Sequence, residues 1–165
     1  MAKLTHEKLL EVLHYDPVSG VLTWKGNRGT NQTKGRVAGW IRKDGYRYLT
    51  VSKERFLAHR LIWFYMTGEW PENQVDHKDR CRSNNKWENL REATYSQNGA
   101  NSAVRKDSIS GIKGVAFHPQ SGRWKARITS GSKPHYLGIF KTPDLAHQAY
   151  ISAARKYHGE FSSEG

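Results

Sequence analysis

The sequence has one cysteine, Cys81, among 165 residues. A single thiol excludes an internal disulfide and the multi-cysteine cages of structural zinc. It reads as an incidental residue of a chain that works in a reducing compartment. Long apolar runs are also missing. No stretch approaches the ~20 apolar residues of a membrane span, and the opening Met1-Ala2-Lys3-Leu4-Thr5-His6-Glu7 lacks the apolar centre of an export signal. These absences give the expectation of a soluble, cytoplasmic protein with no membrane partner. Acidic charge is scarce: 15 Asp and Glu stand against 27 Lys and Arg, a net charge of +12. An excess of that size favours a polyanionic partner. Aliphatic material is thin too, with 36% hydrophobic residues and a mean hydropathy of −0.81. The six Trp, eight Tyr and five Phe must therefore supply much of the burial.

What is present organises into a run of short elements. Thr5 is placed to start a helix, with Leu4 and Leu9 as a hydrophobic staple and Leu9, Leu10, Val12 and Leu13 as its apolar face. Asp16-Pro17 stops it. Ser19-Gly20 turns the chain into a strand over Val21 to Trp24, and the polar, glycine-rich residues 25–36 read as a loop. Asp44-Gly45 predicts a hairpin between Val37–Arg42 and Tyr46–Val51. Apolar spacing from Phe56 to Met66 predicts a helix closed by Gly68. Val75–His77 and Leu90–Ala93 read as strands around a polar loop, and Thr94-Tyr95-Ser96-Gln97 is a capping box that starts another helix. Beyond residues 99–113, three strands are expected over Gly114–His118, Arg123–Thr129 and His135–Phe140. A last helix follows, capped by Thr142 with Pro143 in its first position and ended by Gly159.

Function concentrates in residues 75–98. Asp76 and His77 adjoin, Asn89-Leu90-Arg91 follows, and Asn98 lies in the first turns of the next helix. A carboxylate beside a histidine offers a hard oxygen ligand for a metal and a base that titrates near neutrality. In a basic frame, that pair suggests phosphodiester hydrolysis of nucleic acid. Ala58-His59-Arg60-Leu61-Ile62-Trp63, Val75-Asp76-His77, Asn84-Asn85, Glu88-Asn89-Leu90-Arg91 and Gln97-Asn98 together resemble the HNH homing and nicking endonucleases common in phage genomes. The likeness covers about residues 56–101 and extends upstream through Leu13-His14-Tyr15-Asp16-Pro17 and Gly45-Tyr46.

The resemblance implies a strand–strand–helix metal finger with a role for each motif residue. Asp76 would ligate a divalent cation, and His77 would be the general base. Asn89 would brace the loop and so hold His77. Asn98 stands where many members carry a last histidine, and it would offer its carbonyl oxygen to the metal. Oxygen-only protein ligands point to Mg²⁺ or Mn²⁺ rather than zinc. Arg60, Arg82 and Arg91, with Arg80 nearby, are candidates to meet phosphate. His59 reads as a packed histidine in an aromatic helix.

Residues 110–161 resemble the plant APETALA-type (ethylene-response-factor) DNA-binding domain. The match is carried by Gly114-Val115, Trp124-Lys125-Ala126-Arg127-Ile128, Tyr136-Leu137-Gly138-Ile139-Phe140, Thr142-Pro143, Ala146, Ala149-Tyr150 and Ala153-Ala154. Such a domain is a three-stranded sheet backed by one helix. Strand alternation turns Trp124, Ala126 and Ile128 toward the helix and Lys125, Arg127 and Thr129 away from it, with Tyr136 and His118 alongside. The outward face would enter a major groove, where Arg and Lys read guanine. Ala116, Thr129 and Pro134 stand where the plant domains carry arginines, so base readout is expected to differ.

The sequence therefore predicts an α+β chain: an N-terminal α+β region over 1–70, the HNH motif over 71–104, a basic linker over 105–113 and the DNA-binding domain over 114–165. Arg105 and Lys106 of the linker would track the DNA backbone. The expected partner is double-stranded DNA, with no obligate protein partner, and the resemblance implies a phage-encoded protein acting in its host. A single site per chain favours nicking by a monomer. Two rivals remain at this point: a DNA-binding regulator with a vestigial nuclease site, and a structure-selective RNA or repair nuclease.

Overall fold

The computed structural model describes residues 4–27, 33–104 and 108–163. It is an α+β protein with small antiparallel sheets, and it separates into two compact units, residues 1–92 and 93–165. Among the described residues, no helix is long and apolar enough to cross a membrane.

In the first unit, α1 (His6–Val12) is capped by Thr5, whose Oγ1 accepts the Lys8 N–H at 3.2 Å. The helix is shorter than its apolar spacing suggests. Leu13–Asp16 leaves it as strand β1 and pairs antiparallel with β2 (Val21–Trp24), Leu13 opposite Trp24. The ladder recruits backbone groups that a longer helix would have used, and alternation still buries Leu13 and Tyr15. The second sheet runs β3 (Trp40–Ile41), β4 (Arg47–Val51), β5 (Glu54–Leu57). Its first turn is the expected one at Asp44-Gly45, although β3 is only two residues long. β5 is an additional strand in a segment whose second half was expected to begin the helix. Consequently α2 starts at Ala58 and runs to Thr67, with Gly68 as its cap. It buries Ala58, His59, Leu61, Ile62 and Phe64, one face at helical spacing.

β6 (Gln74–His77) pairs with β7 (Leu90–Ala93). Val75 and Leu90 are buried in the same cluster as Leu9, Leu13, Leu22, Leu49, Leu61 and Ile62. The pair that carries Asp76 and His77 is thus built into the core of the N-terminal region. Residues 1–70 and the two strands fold as one body.

The second unit opens with α3 (Tyr95–Asn101). Its capping box is complete: Thr94 Oγ1 accepts the Gln97 N–H, and Gln97 Oε1 accepts the Thr94 N–H at 2.8 Å. A three-stranded antiparallel sheet follows, in the order β10 (Lys133–Phe140), β9 (Arg123–Ser130), β8 (Val115–His118). α4 (Pro143–His158) covers one face and buries Ala146, Tyr150, Ala153 and Ala154 against Val115, Ala126 and Ile128. These small side chains let the helix lie close on the sheet. A bulge between Tyr136 and Gly138 inserts Leu137, which packs toward α4 while Tyr136 stays on the opposite face. Of the expected linker, residues 108–113 are described and are tied into this unit. Ser110 Oγ donates to Val115 O at 2.6 Å, and Lys113 Nζ donates to the carbonyls of Ala100 and Ser102 at the end of α3.

Candidate active site and nucleic-acid interface

Asp76 and His77 end β6, and the strand pair turns both side chains into the protein: they are 6% and 4% exposed. Asp76 is held by Arg91 on the neighbouring strand, whose Nε and Nη2 both donate to Oδ2, at 3.1 and 3.0 Å. This ion pair is nearly buried on both sides. Arg91, expected at phosphate, is engaged by the carboxylate beside the candidate base.

The loop between β6 and β7 is folded by its own amides. Asn89 Nδ2 donates to Asp79 Oδ1 at 2.9 Å and to Asn84 O at 2.8 Å, and Asn89 Oδ1 accepts the Asp79 N–H at 3.0 Å. Asn84 Nδ2 donates to the second oxygen of Asp79 at 2.6 Å. Burial raises the Asp79 pKa, but the bonds from Asn84, Asn89 and the Cys81 N–H outweigh it and hold the carboxyl below its ordinary value. Asn89 is therefore placed as a loop brace. The imidazole itself meets a different residue. His77 Nε2 lies 3.0 Å from Oδ1 of Asn85, which is 3% exposed.

Aromatic rings complete the surroundings of His77. His59, on α2, stands edge-on to it with ring centroids 5.0 Å apart, and Tyr46 lies 5.2 Å from His59 and 6.1 Å from His77. His59 is buried among these rings. Burial, then the nearby His77 and Arg60, push its pKa down to about 3, so it is neutral at physiological pH. Arg82 stacks over the Tyr46 ring at 4.8 Å and donates from Nη1 to Asp44 O at 2.8 Å, which places it on the outside of this group. Arg60 donates to the carbonyls of Asn73 and Pro71. Sequence reasoning gave no individual role to Asn85, Asp79, Tyr15 or Tyr46. The adjacent pair Asn84-Asn85 in a polar loop was the available signal.

Asn98 lies within α3, half-buried, with its N–H donating to Thr94 O at 3.0 Å. Arg105 and Lys106 lie outside the described residues. Among the described residues, no three His, Cys, Asp or Glu side chains gather as a metal cluster.

The outward face of the second unit's sheet follows the expected alternation. Ala126 and Ile128 are buried under α4, while Arg127 and Thr129 are exposed. Tyr136 is opposite Arg127 across the ladder and is 62% exposed. Lys125 Nζ sits 5.6 Å from the Tyr136 ring centre. His118, at the end of β8, pairs with Arg123 in register, and its Nδ1 lies 2.9 Å from Ser121 Oγ. Two cations and a phenol ring therefore share one exposed face.

Residues 56–100 match the family model of the HNH endonuclease, and residues 110–160 match that of the AP2 domain. The second match extends to plant proteins. The AP2-like ethylene-responsive transcription factor CRL5 of Oryza sativa subsp. japonica is 51% identical over 49 residues, 28% of this chain and 8% of that protein. AIL7 of Arabidopsis thaliana is 49% identical over the same length, 10% of its own. The chain thus spans no more than a tenth of these plant factors. A solved structure titled "DNA binding and cleavage by the HNH homing endonuclease I-HmuI" aligns over 89% of this chain and 85% of its own, at 21% identity and a TM-score of 0.42. Protein 3.8 of Escherichia phage T7 is 30% identical over 107 residues, 63% of this chain and 86% of the T7 protein. That likeness spans most of the T7 protein, so the chain belongs to the family of phage protein 3.8, built here from an HNH endonuclease domain followed by an AP2 domain.

Proposed function

We propose that the protein is a metal-dependent DNA endonuclease that hydrolyses phosphodiester bonds at a specific duplex site, as a homing or nicking enzyme. The observation that carries this reading is the buried Asp76–His77 pair, with each side chain held by a dedicated partner, Arg91 and Asn85. A surface Asp-His pair would not need such support. His77 is the general base that takes a proton from the attacking water. Asn89 shapes the loop through Asp79 and Asn84. Arg91 fixes the Asp76 carboxylate in orientation.

The donor chemistry fits a hard divalent ion. Asp76 would supply a carboxylate oxygen and, as the family resemblance implies, Asn98 an amide oxygen, a set suited to Mg²⁺ or Mn²⁺ with water and phosphate filling the other positions. Zinc would draw on several His or Cys side chains, and no such gathering exists among the described residues. When bound, the cation supplies charge stabilisation to the phosphate and to the leaving 3′ oxygen.

Duplex DNA is the partner. Lys125, Arg127, Thr129, Tyr136 and His118 form the reading face, while Arg60, Arg82, Arg105 and Lys106 meet the backbone. The test is incubation of supercoiled plasmid with the protein and Mg²⁺. The expected product is nicked circle, lost on adding EDTA and lost in His77→Ala, whose DNA affinity stays near wild type. Loss of a general base typically slows such a step ~10²–10⁴-fold. Near wild-type turnover by His77→Ala, or equal cutting in EDTA, overturns the reading. Preference for RNA over duplex DNA overturns the assigned substrate.

A further inference from the structure

We infer that Asn85 is the positioning residue for His77: it fixes the imidazole tautomer with the proton on Nε2, and the β1–β2 hairpin holds it there. The catalytic consequence rests on the nuclease reading above; the tautomer does not. An amide oxygen carries no hydrogen, so the 3.0 Å contact between Asn85 Oδ1 and His77 Nε2 is a hydrogen bond only if Nε2 donates. In the neutral ring the lone pair then sits on Nδ1, which becomes the basic nitrogen. The opposite tautomer would set two lone pairs against each other inside the protein, where an unmade hydrogen bond costs its full desolvation. Both residues are almost completely buried, which makes this preference strong.

Asn85 is itself clamped from residues 15–20. Its backbone carbonyl accepts the Tyr15 hydroxyl at 2.7 Å, a buried bond between residues seventy positions apart. Burial pushes the Tyr15 pKa upward, so the hydroxyl keeps its proton and stays a donor. Trp87 N–H donates to Pro17 O at 3.1 Å. Gly20, at φ +75°, lies so close that a Cβ there would stand 2.5 Å from Lys86 N and 2.6 Å from Asn85 C. Three contacts from one hairpin therefore converge on residues 85–87. The two loop asparagines have separate tasks: Asn89 shapes the loop, and Asn85 chooses which ring nitrogen of His77 is basic.

The experiment uses the full chain labelled with ¹⁵N-histidine, in alkaline buffer where imidazole is neutral. Two-bond ¹H–¹⁵N correlations distinguish the tautomers of His77, assigned by its loss in His77→Ala. The wild type is expected to show the Nε2–H form. Asn85→Leu, which removes the acceptor, is expected to shift His77 toward Nδ1–H and to slow plasmid nicking about 10- to 100-fold, as loss of an orienting hydrogen-bond partner does. Asn85→Asp keeps an acceptor oxygen, so it should keep the tautomer and cut faster than Asn85→Leu. Tyr15→Phe should move both readouts in the same direction by less. An Nδ1–H wild type, or an unchanged tautomer in Asn85→Leu, overturns the inference even if nicking falls. A tautomer that shifts as expected in a protein that never cuts DNA upholds the role of Asn85 and removes the nuclease reading instead. Should Asn85→Leu fail to fold, the wild-type tautomer and the Asn85→Asp and Tyr15→Phe variants still decide the matter.

Discussion

Leucine and aromatic side chains fill the first unit, and the polar residues of the candidate site are buried beside them: His59, Asp76, His77, Asn85 and Asn89. The second unit buries mostly alanine, with Val115, Ile128 and Tyr150, under one helix, and its candidate DNA-contacting side chains stand on the open face of the sheet. The difference matches what each kind of site demands. A base and a metal ligand need fixed orientation, which burial and dedicated partners provide. A face that is to read a groove needs access, and the proposed readers Lys125, Arg127, Thr129 and Tyr136 stand away from the core. Substitutions at the inner site should therefore couple chemistry to folding, whereas substitutions on the outer face should leave folding intact.

The largest effect is expected where that coupling is tightest. Asp76→Ala removes the carboxylate that accepts two hydrogen bonds from the nearly buried Arg91, and breaking such a pair typically costs about 3–5 kcal/mol. Urea unfolding followed by tryptophan fluorescence reads this well, because five of the six tryptophans lie in residues 1–92. The Asp76→Ala/Arg91→Met double variant should recover part of the stability while still failing to cut. Wild-type stability of the single variant would mean that the ion pair has no structural weight.

Next is the close approach of α4 to the sheet in the second unit. Gly114 sits at φ +70°, and a Cβ there would lie 2.1 Å from the Tyr150 ring and 2.7 Å from Arg127 O. Gly114→Ala should cost roughly 2 kcal/mol or more from overpacking together with the left-handed backbone. With ¹⁹F-tryptophan, the Trp124 resonance is the one reporter of this unit. An unchanged unfolding midpoint for that resonance would show that the helix can lift without cost.

On the outer face, Arg127→Ala should leave the unfolding curve alone and change sequence preference by ~1–3 kcal/mol at one base position, the value of a bidentate contact to guanine. Binding to the preferred site and to single-base variants at several salt concentrations gives the answer. A common loss across all sequences would mean that Arg127 meets only phosphate.

The last effect is a slope rather than a single energy. His59 has its folded pKa pushed down to about 3, below the ordinary 6.5. The unfolded chain therefore binds the extra proton between those values. The contribution of His59 is fully present above about pH 6.5 and is lost as pH falls toward 3, by at most about 1.4 kcal/mol per pH unit. His59→Gln should flatten the stability curve over that window. If both proteins follow one curve, the ring is not held neutral by its surroundings.

Where local chemistry decided the outcome, the sequence was readable: the Asp44-Gly45 turn, the Thr94 capping box, Pro143 at the head of α4 and the in–out alternation of β9 all stand as expected. β5 escaped because its turn is made by Ser52 and Lys53, both at positive φ without being glycine, so the usual hairpin marker is missing. β1 escaped because Leu9, Leu10, Val12 and Leu13 continue a helical pattern that only pairing with β2 interrupts. The Asp-His pair was legible as a motif. The partners Arg91 and Asn85 were not, since an arginine and an asparagine in polar surroundings look like surface until the fold buries them.

Two turns of the first unit also differ in what they would tolerate from an engineer. Ser52 and Lys53 are exposed at the tip of the β4–β5 hairpin, so that tip could accept a grafted recognition loop. The turn that ends in Gly20 could not. Anything bulkier there is transmitted through the backbone of Asn85 and Lys86 toward the imidazole of His77, so an insertion in that turn would disturb the candidate site while the open sheet face of the second unit stayed intact.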